Sequence, residues 1–94
     1  MKTTIKPILS VRNGATVIEF YCKAFGAVEL MPVSSPDGEL VAELSVEGAD
    51  FFIADESPDN ENYSPETIGG NSVRLAIVAE DPDSLFAKAI TAGA

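Results

Sequence analysis

The sequence predicts an α+β domain made of one β-α-β-β-β unit and the beginning of a second. Three observations support this fold class. Residues 15–27 have helical periodicity and close on Gly-Ala; three strand-like segments follow them; and residues 82–94 form a second helix-like stretch that also closes on Gly-Ala. The length of 94 residues and the hydrophobic content of 46% fit one small domain with its own core.

The first strand and the first helix are predicted from residues 5–27. Residues 5–11 alternate weakly and end at a turn signal, and Pro7 favours an edge strand or the start of a strand. The helix opens over Gly14-Ala15-Thr16, with Thr16 as its N-cap or an N-terminal residue, and ends where Gly26 takes a left-handed conformation. Its buried stripe has the i, i+3, i+4, i+7 spacing of a core-packed helix (Val17, Phe20, Tyr21 and Ala24).

Three more strands are predicted after this helix, over residues 28–33, 39–46 and 51–55. Turn residues separate them: Ser-Ser-Pro-Asp-Gly over 34–38 and Glu-Gly-Ala-Asp over 47–50. Because these connections are short, we expect the three strands to pair antiparallel. Residues 56–70 are polar and contain two prolines and two glycines, which predicts a long loop.

A second unit begins at residue 71. Residues 71–79 are predicted to form a fifth strand, and Asp81 and Pro82 supply the N-cap and first residue of a second helix. Shifting the sequence by 67 positions places Gly26 on Gly93 and Ile8 on Leu75. This overlay indicates an internal repeat; the alternative is that unrelated β-α units end in the same way.

The repeat divides the single domain, residues 1–94, into a first module (1–55), a loop (56–70) and the start of a second module (71–94). Three strands that would complete the second module are absent from the sequence. A lone sheet has open edges, so we expect either a longer molecule or a partner chain to complete it.

Composition excludes several classes of partner and site. Fifteen acidic against six basic residues give a net charge of −9, which argues against nucleic acid and anionic membranes as partners. No stretch has the pattern of a membrane span or a signal peptide. The single cysteine, Cys22, cannot form an intrachain disulfide and favours a cytoplasmic location. Because the chain has no histidine to activate it, Cys22 is better explained as a small helix-face residue than as a nucleophile.

The most specific motif is Phe20-Tyr21-x-x-Ala24-Phe25-Gly26-Ala27, at the end of the first helix. Further matches follow along the chain: Asp37-Gly38, Ala42-Glu43-Leu44, Ala54-Asp55-Glu56, Gly69-Gly70 and Ala92-Gly93-Ala94. The combination resembles the glyoxalase/bleomycin-resistance/dioxygenase (vicinal oxygen chelate) superfamily, and within it the PhnB-like branch. The resemblance implies paired β-α-β-β-β modules whose curved mixed sheet surrounds a cleft.

Metal-dependent members of that superfamily bind a divalent metal through one residue on each of four strands. The resemblance places three of these positions at Lys6, Ile53 and Val73. An ammonium group and two apolar side chains offer no suitable donor to a hard or borderline cation. We therefore expect no metal and no other cofactor.

The resemblance also implies candidate contacts to a small molecule in the cleft, namely Lys6, Glu43, Phe51, Ile53, Tyr63 and Val73. Glu43, on the polar face of the third predicted strand, is either a general base or binding carboxylate or a solvated strand residue. Tyr63, in the long loop, is a candidate cap over a ligand. Asp55 and Glu56 form a carboxylate pair whose simpler explanation is a turn at the strand end.

Three functions are compatible with the sequence. The first is a metal-free protein that binds an unknown small molecule in an apolar cleft. The second is a metal-dependent lyase, isomerase or dioxygenase-like enzyme whose site is completed by residues beyond Ala94 or by a partner chain. The third is an assembly unit that completes its sheet only as a homodimer.

Overall fold

The computed structural model describes residues 2–34 and 40–94, except for the side chains of residues 31–34. Its main elements, in chain order, are β1 (Ile8–Val11), α1 (Gly14–Phe25), β2 (Val28–Ser34), β3 (Leu40–Val46), β4 (Ala49–Asp55), α2 (Pro65–Ile68) and α3 (Pro82–Thr91). This order confirms the α+β class and the predicted β-α-β-β-β unit. Most of the predicted turn over residues 34–38 lies outside the described residues.

The four strands form one mixed sheet in the order β1-β4-β3-β2. β2 pairs antiparallel with β3, and β3 pairs antiparallel with β4, as the short connections predict. β1 pairs parallel with β4, so it lies at one edge of the sheet, with Pro7 just before it. The β3–β4 connection places Glu47 and Gly48 at φ angles of 49° and 88°. Positive φ at both central residues is typical of the tightest hairpin turns, whose twist matches that of the strands.

Helix α1 begins at Gly14, as predicted, and of the two predicted roles for Thr16 the structure shows that of an N-terminal residue. The side chain of Asn13 accepts a hydrogen bond from the Thr16 backbone N–H, so Asn13 is the N-cap and Thr16 lies in the first turn. Asn13 is the cap because its side-chain oxygen reaches the backbone N–H three residues ahead, and that N–H belongs to Thr16. The predicted end is confirmed: Gly26 has a φ of 67°, and its N–H donates to the Cys22 carbonyl at 3.1 Å.

The hydrophobic core lies between α1 and one face of the sheet. Two cross-strand pairs of β3 and β4 supply most of it: Ala42 with Ile53, and Leu44 with Phe51. From the helix, Ile18 is buried in the same cluster, and the Tyr21 ring meets Phe51 edge-on at 5.1 Å. Each fully buried large aliphatic side chain contributes about 1.5–3 kcal/mol relative to exposure.

The Asp55 carboxylate joins the start of α1 to the start of β3. Its Oδ1 accepts a hydrogen bond from Gly14 N–H at 2.7 Å, and its Oδ2 accepts one from Leu40 N–H at 3.0 Å. A Cβ at position 14 would lie 2.7 Å from Oδ1, so only glycine allows this approach. Asp55 therefore has a structural role, holding α1 and β3 together, and is not half of a functional carboxylate pair with Glu56.

The segment after β4 differs from the prediction in two ways. The predicted loop over residues 56–70 contains a 3-10 turn (Pro58–Asn60) and the short helix α2. The predicted fifth strand over residues 71–79 is wrong: these residues form neither helix nor strand, and all are exposed. A strand-like sequence pattern does not by itself make residues 71–79 a strand, because a strand also needs a neighbouring backbone as its hydrogen-bond partner. Helix α3 is confirmed, with Asp81 as N-cap accepting from Ser84 N–H at 3.0 Å and Pro82 as its first residue.

Replacing Asp55 with alanine should destabilise the fold by about 2–4 kcal/mol, because two backbone N–H groups lose a charged acceptor. Urea unfolding of Asp55→Ala against the parent chain measures this loss. Asp59→Ala, which removes an exposed carboxylate, is the matched control and should change stability by less than about 0.5 kcal/mol. Equal stability of the two variants would show that the bridge does not hold α1 and β3 together.

Candidate ligand-binding face

The sheet has a second face, opposite α1, which we call the open face. The strand register assigns it the alternate residues of β1, β3 and β4 together with Lys6 just before β1: Lys6, Ile8, Ser10, Val41, Glu43, Ser45, Asp50, Phe52 and Ala54. Ile8 is exposed, and Glu43, Phe52 and Ala54 are half-buried. The face therefore combines apolar surface with a small group of charges.

A charged pair lies within this face. The Lys6 ammonium donates to Glu43 Oε2 at 2.6 Å and lies 3.7 Å from Asp50 Oδ2. It also lies 6.0 Å from the centre of the Phe52 ring, at the outer limit of a cation–π contact. Strand pairing explains the grouping, because Glu43 is directly opposite Phe52 in the β3–β4 ladder.

The pair fixes the protonation state of the lysine. The hydrogen bond that Lys6 donates to Glu43, together with the negative charges of Glu43 and Asp50, raises the pKa of Lys6. Lys6 is therefore an ammonium group at neutral pH, which can donate hydrogen bonds but cannot act as a base or a nucleophile. Two carboxylates and one ammonium give the group a net charge of −1.

Two of the predicted cleft residues lie on the wrong side of the sheet. Phe51 is 8% exposed and Ile53 is 0% exposed, and both pack in the core beneath α1. The prediction that they line the cleft is therefore corrected. Their neighbour Phe52 occupies the open face instead, because side chains alternate along a strand. The signal that could have identified Phe52 is its cross-strand position opposite the charged Glu43.

Two other candidates lie outside the sheet. Tyr63, 43% exposed, lies between the 3-10 turn and α2. Val73, 70% exposed, lies in the segment that forms neither helix nor strand. Of the six candidates, the structure brings only Lys6 and Glu43 into direct contact on the open face. Cys22 is half-buried against the core, as its position on the helix face predicts.

Glu56 organises the loop that follows β4. Its Oε1 accepts hydrogen bonds from Ser64 N–H at 3.0 Å and from the Thr67 hydroxyl at 2.7 Å. Its Oε2 lies 3.6 Å from the Arg12 guanidinium at the end of β1. These bonds to the carboxylate, chiefly from Ser64 and Thr67, lower the pKa of Glu56. Glu56 therefore fastens α2 to the sheet.

The donor set of the open face does not fit a superfamily-type metal. The Lys6 ammonium takes the place that a cation would need beside Glu43. Among residues 2–34 and 40–94, apart from the side chains of 31–34, no three His, Cys, Asp or Glu side chains converge on one point. We derive no chemistry through a metal ion for this chain.

The β-α-β-β-β fold of this chain also occurs in two solved proteins. The fosfomycin resistance protein FosX from Listeria monocytogenes superposes with a TM-score of 0.64 and 16% identity, over 99% of this chain and 72% of that one. A gene product from Arabidopsis thaliana superposes with a TM-score of 0.73 and 27% identity, over 99% of this chain and 75% of that one. No family model matches the chain.

Sequence relatives occur in mycobacteria. An uncharacterized protein of Mycobacterium bovis and one of Mycobacterium tuberculosis are each 36% identical to this chain over its full length. The alignment covers 64% and 58% of those proteins, so the chain spans about three fifths of the curated relatives it matches. In the part of the chain that the structure describes, no helix has both the length and the apolar character to cross a bilayer.

The Glu56 bonds should make stability depend on pH in the acid range. Because the pKa of Glu56 is lower in the folded than in the unfolded chain, its stabilising effect is complete above its ordinary value of 4.5 and is lost as the pH falls through the lower folded value. We expect Glu56→Gln to be less stable than the parent at pH 7, with a smaller further loss on acidification. Urea unfolding at pH 7 and at acid pH measures both effects.

Glu29→Gln is the matched control, because Glu29 is exposed on edge strand β2. It should keep the stability and the acid sensitivity of the parent chain. If Glu56→Gln retained the full acid sensitivity of the parent, another carboxylate would be responsible.

Proposed function

We propose that this protein is a PhnB-like member of the glyoxalase/bleomycin-resistance superfamily that binds a small molecule on the open face without a metal. The observation that carries the proposal is the Lys6–Glu43 pair, 2.6 Å apart on the face that α1 leaves uncovered. A lysine at a superfamily metal-ligand position supports a site that works through hydrogen bonds and apolar contact.

The chemistry of the open face matches that of a small-molecule site. Such sites are largely apolar, with a few polar groups that fix the orientation of the ligand. Here Ile8, Phe52 and Ala54 supply apolar surface, and the aromatic ring suits stacking with a flat ligand. Lys6 has three N–H donors, and Glu43 accepts its hydrogen bond through one carboxylate oxygen, so each keeps capacity for a ligand.

We also propose a homodimer in the cytoplasm as the working form. The open face belongs to a sheet of four strands with β1 and β2 at its edges, so a second copy would supply the facing wall. The one free cysteine, half-buried in α1, suits a reducing compartment.

Aromatic fragments that carry a polar group should bind at the open face. In two-dimensional NMR of the ¹⁵N-labelled protein, we expect the shifted amides to cluster around Lys6, Glu43 and Phe52. Phe52→Ala should weaken the best fragment roughly tenfold, because the ring is the largest apolar surface on this face.

Phe86→Ala is the control for that measurement, since Phe86 is an exposed aromatic residue on α3, away from the sheet. Its fragment affinity should equal that of the parent. Shifts that cluster on α3, or an affinity that Phe52→Ala leaves unchanged, would contradict a ligand site on the open face.

Divalent metals should not bind stoichiometrically to the chain. In calorimetric titrations with Zn²⁺, Ni²⁺ and Mn²⁺, we expect only weak heats that Lys6→Gln does not alter, because the donor set lacks a converging group of ligands. Tight binding at one ion per chain would instead favour the alternative, a metal-dependent lyase, isomerase or dioxygenase. Loss of that binding in Glu43→Gln would then locate the metal on the open face.

A further inference from the structure

The pair Asn13-Gly14, where β1 turns into α1, has the chemistry of a deamidation site. The chain contains four asparagines, and Asn13 is the one that a glycine follows. In a mobile chain, the backbone nitrogen of the next residue can attack the asparagine side-chain carbon Cγ, which makes asparagine a heat-sensitive residue. Glycine favours this attack most, because it has no side chain in the way and its backbone rotates most freely.

The fold requires glycine at position 14. Gly14 is buried at the start of α1, and a Cβ there would lie 2.7 Å from Asp55 Oδ1 and 3.1 Å from the Leu40 side chain. Asn13, which is exposed, caps the same helix, since its Oδ1 accepts a hydrogen bond from Thr16 N–H at 3.3 Å. The reactive pair therefore lies where the close approach of Asp55 prevents any other residue from replacing the glycine.

The folded chain holds both reacting groups in other hydrogen bonds. The attacking nitrogen, Gly14 N, donates its hydrogen to Asp55 Oδ1 at 2.7 Å. This nitrogen must lose a proton to attack, and the negative charge of the carboxylate disfavours the amide anion that would form. The side-chain amide of Asn13 is bound to Thr16 N–H at the helix end. The reaction therefore requires the start of α1 to separate from Asp55.

We propose that Asn13 is a modification site protected by Asp55: it deamidates when the Gly14–Asp55 hydrogen bond opens and is stable while that bond is closed. In the reaction, Gly14 N forms a bond to Asn13 Cγ, its proton passes to the departing amino group, and the bond from Cγ to that group breaks to release ammonia. Water then opens the resulting cyclic imide at one or the other carbonyl carbon. The product is aspartate or isoaspartate at position 13.

The two products differ in their effect on α1. Aspartate is as good an N-cap as asparagine, and its charge is favourable at the positive end of the helix, so the junction stays intact. Isoaspartate routes the main chain through the side-chain methylene, which adds a carbon atom to the backbone just before Gly14. The added atom displaces Gly14 N–H from the Asp55 carboxylate that it contacts in the unmodified chain. An opening that is otherwise reversible thus becomes permanent.

Timed peptide mapping by mass spectrometry measures the reaction. At mildly alkaline pH, we expect Asn13 to deamidate at least about tenfold more slowly in the folded parent chain than in the same chain in urea. Asp55→Ala should speed the reaction at Asn13 about tenfold, because a charge-assisted hydrogen bond no longer holds Gly14 N–H. Asn71, exposed in a segment that forms neither helix nor strand, is the internal reference and should react equally fast in both folded chains.

Leu44→Ala separates local protection from overall stability. Leu44 is fully buried in the core, so its truncation destabilises the fold while Gly14 N–H keeps its acceptor. With urea added to equalise their free energies of unfolding, Asp55→Ala should still deamidate faster at Asn13 than Leu44→Ala does. Equal rates would overturn the protective role of Asp55. A slower rate in Asp55→Ala would overturn it too, since the carboxylate would then be acting as a base.

Asp55→Asn takes the place of Asp55→Ala if the alanine variant does not fold. Its neutral amide has the same shape but is a weaker acceptor, so Asn13 should again deamidate faster than in the parent chain. A folded parent chain that reacts as fast as the chain in urea would overturn the protection whatever either variant does.

The stability of the products tests the consequence for α1. Asn13→Asp should unfold at the same urea concentration as the parent chain. Aged chains, separated by ion exchange and shown by peptide mapping to carry isoaspartate at position 13, should unfold at a lower one. Parent-like stability of those chains would overturn the permanent opening. None of these measurements involves the open face, so ligand binding there is judged independently.

Discussion

The alternation of side chains along β3 and β4 is the constraint on which the rest of the molecule depends. Each residue of these strands must face either α1 or the opposite side, and the antiparallel register applies the same choice to its neighbour. Ala42, Leu44 and Ile53 take the helix side, where burial stabilises the fold. Glu43 and Phe52 are thereby left on the open face, so the same register that builds the core also assembles the candidate site.

Asp55 and Glu56 are neighbours in the sequence, and each joins the sheet to a different helix. Asp55 points to the helix side and joins α1 to β3 through two backbone N–H groups. Glu56 ends the strand and fastens α2 through Ser64 and Thr67. A carboxylate pair that suggests catalysis in a sequence is, in this structure, two separate structural anchors.

The order of the elements and the ends of the helices are predictable from the sequence because those features are encoded locally. Gly26 ends α1 and Asp81 caps α3 through contacts within a few residues. The open-face residues of β4 could not be predicted in the same way. Phe51, Phe52 and Ile53 are all apolar, so hydrophobicity alone does not show which of them faces the helix. Only the partner strand decides it.

The segment over residues 71–79 also shows that local sequence does not determine strand pairing. Its composition is that of a strand, yet strand formation depends on a neighbouring backbone, and that neighbour is not written into the segment itself. The local sequence thus gives the segment the capacity to form a strand, and pairing with another backbone decides whether the strand forms. The Lys6–Glu43 pair likewise joins residues 37 positions apart, beyond the reach of any local pattern.

The parallel pairing of β1 with β4 has a consequence for how the sheet assembles. The β3–β4 hairpin closes through two residues, whereas bringing Ile8 beside Phe52 closes a loop of about 40 residues. By loop-closure entropy the second event costs roughly 2–3 kcal/mol more than the first. Topologies rich in such distant contacts fold more slowly than those built from local ones. The parallel edge, rather than the β3–β4 hairpin, therefore carries the larger loop-closure cost in this sheet.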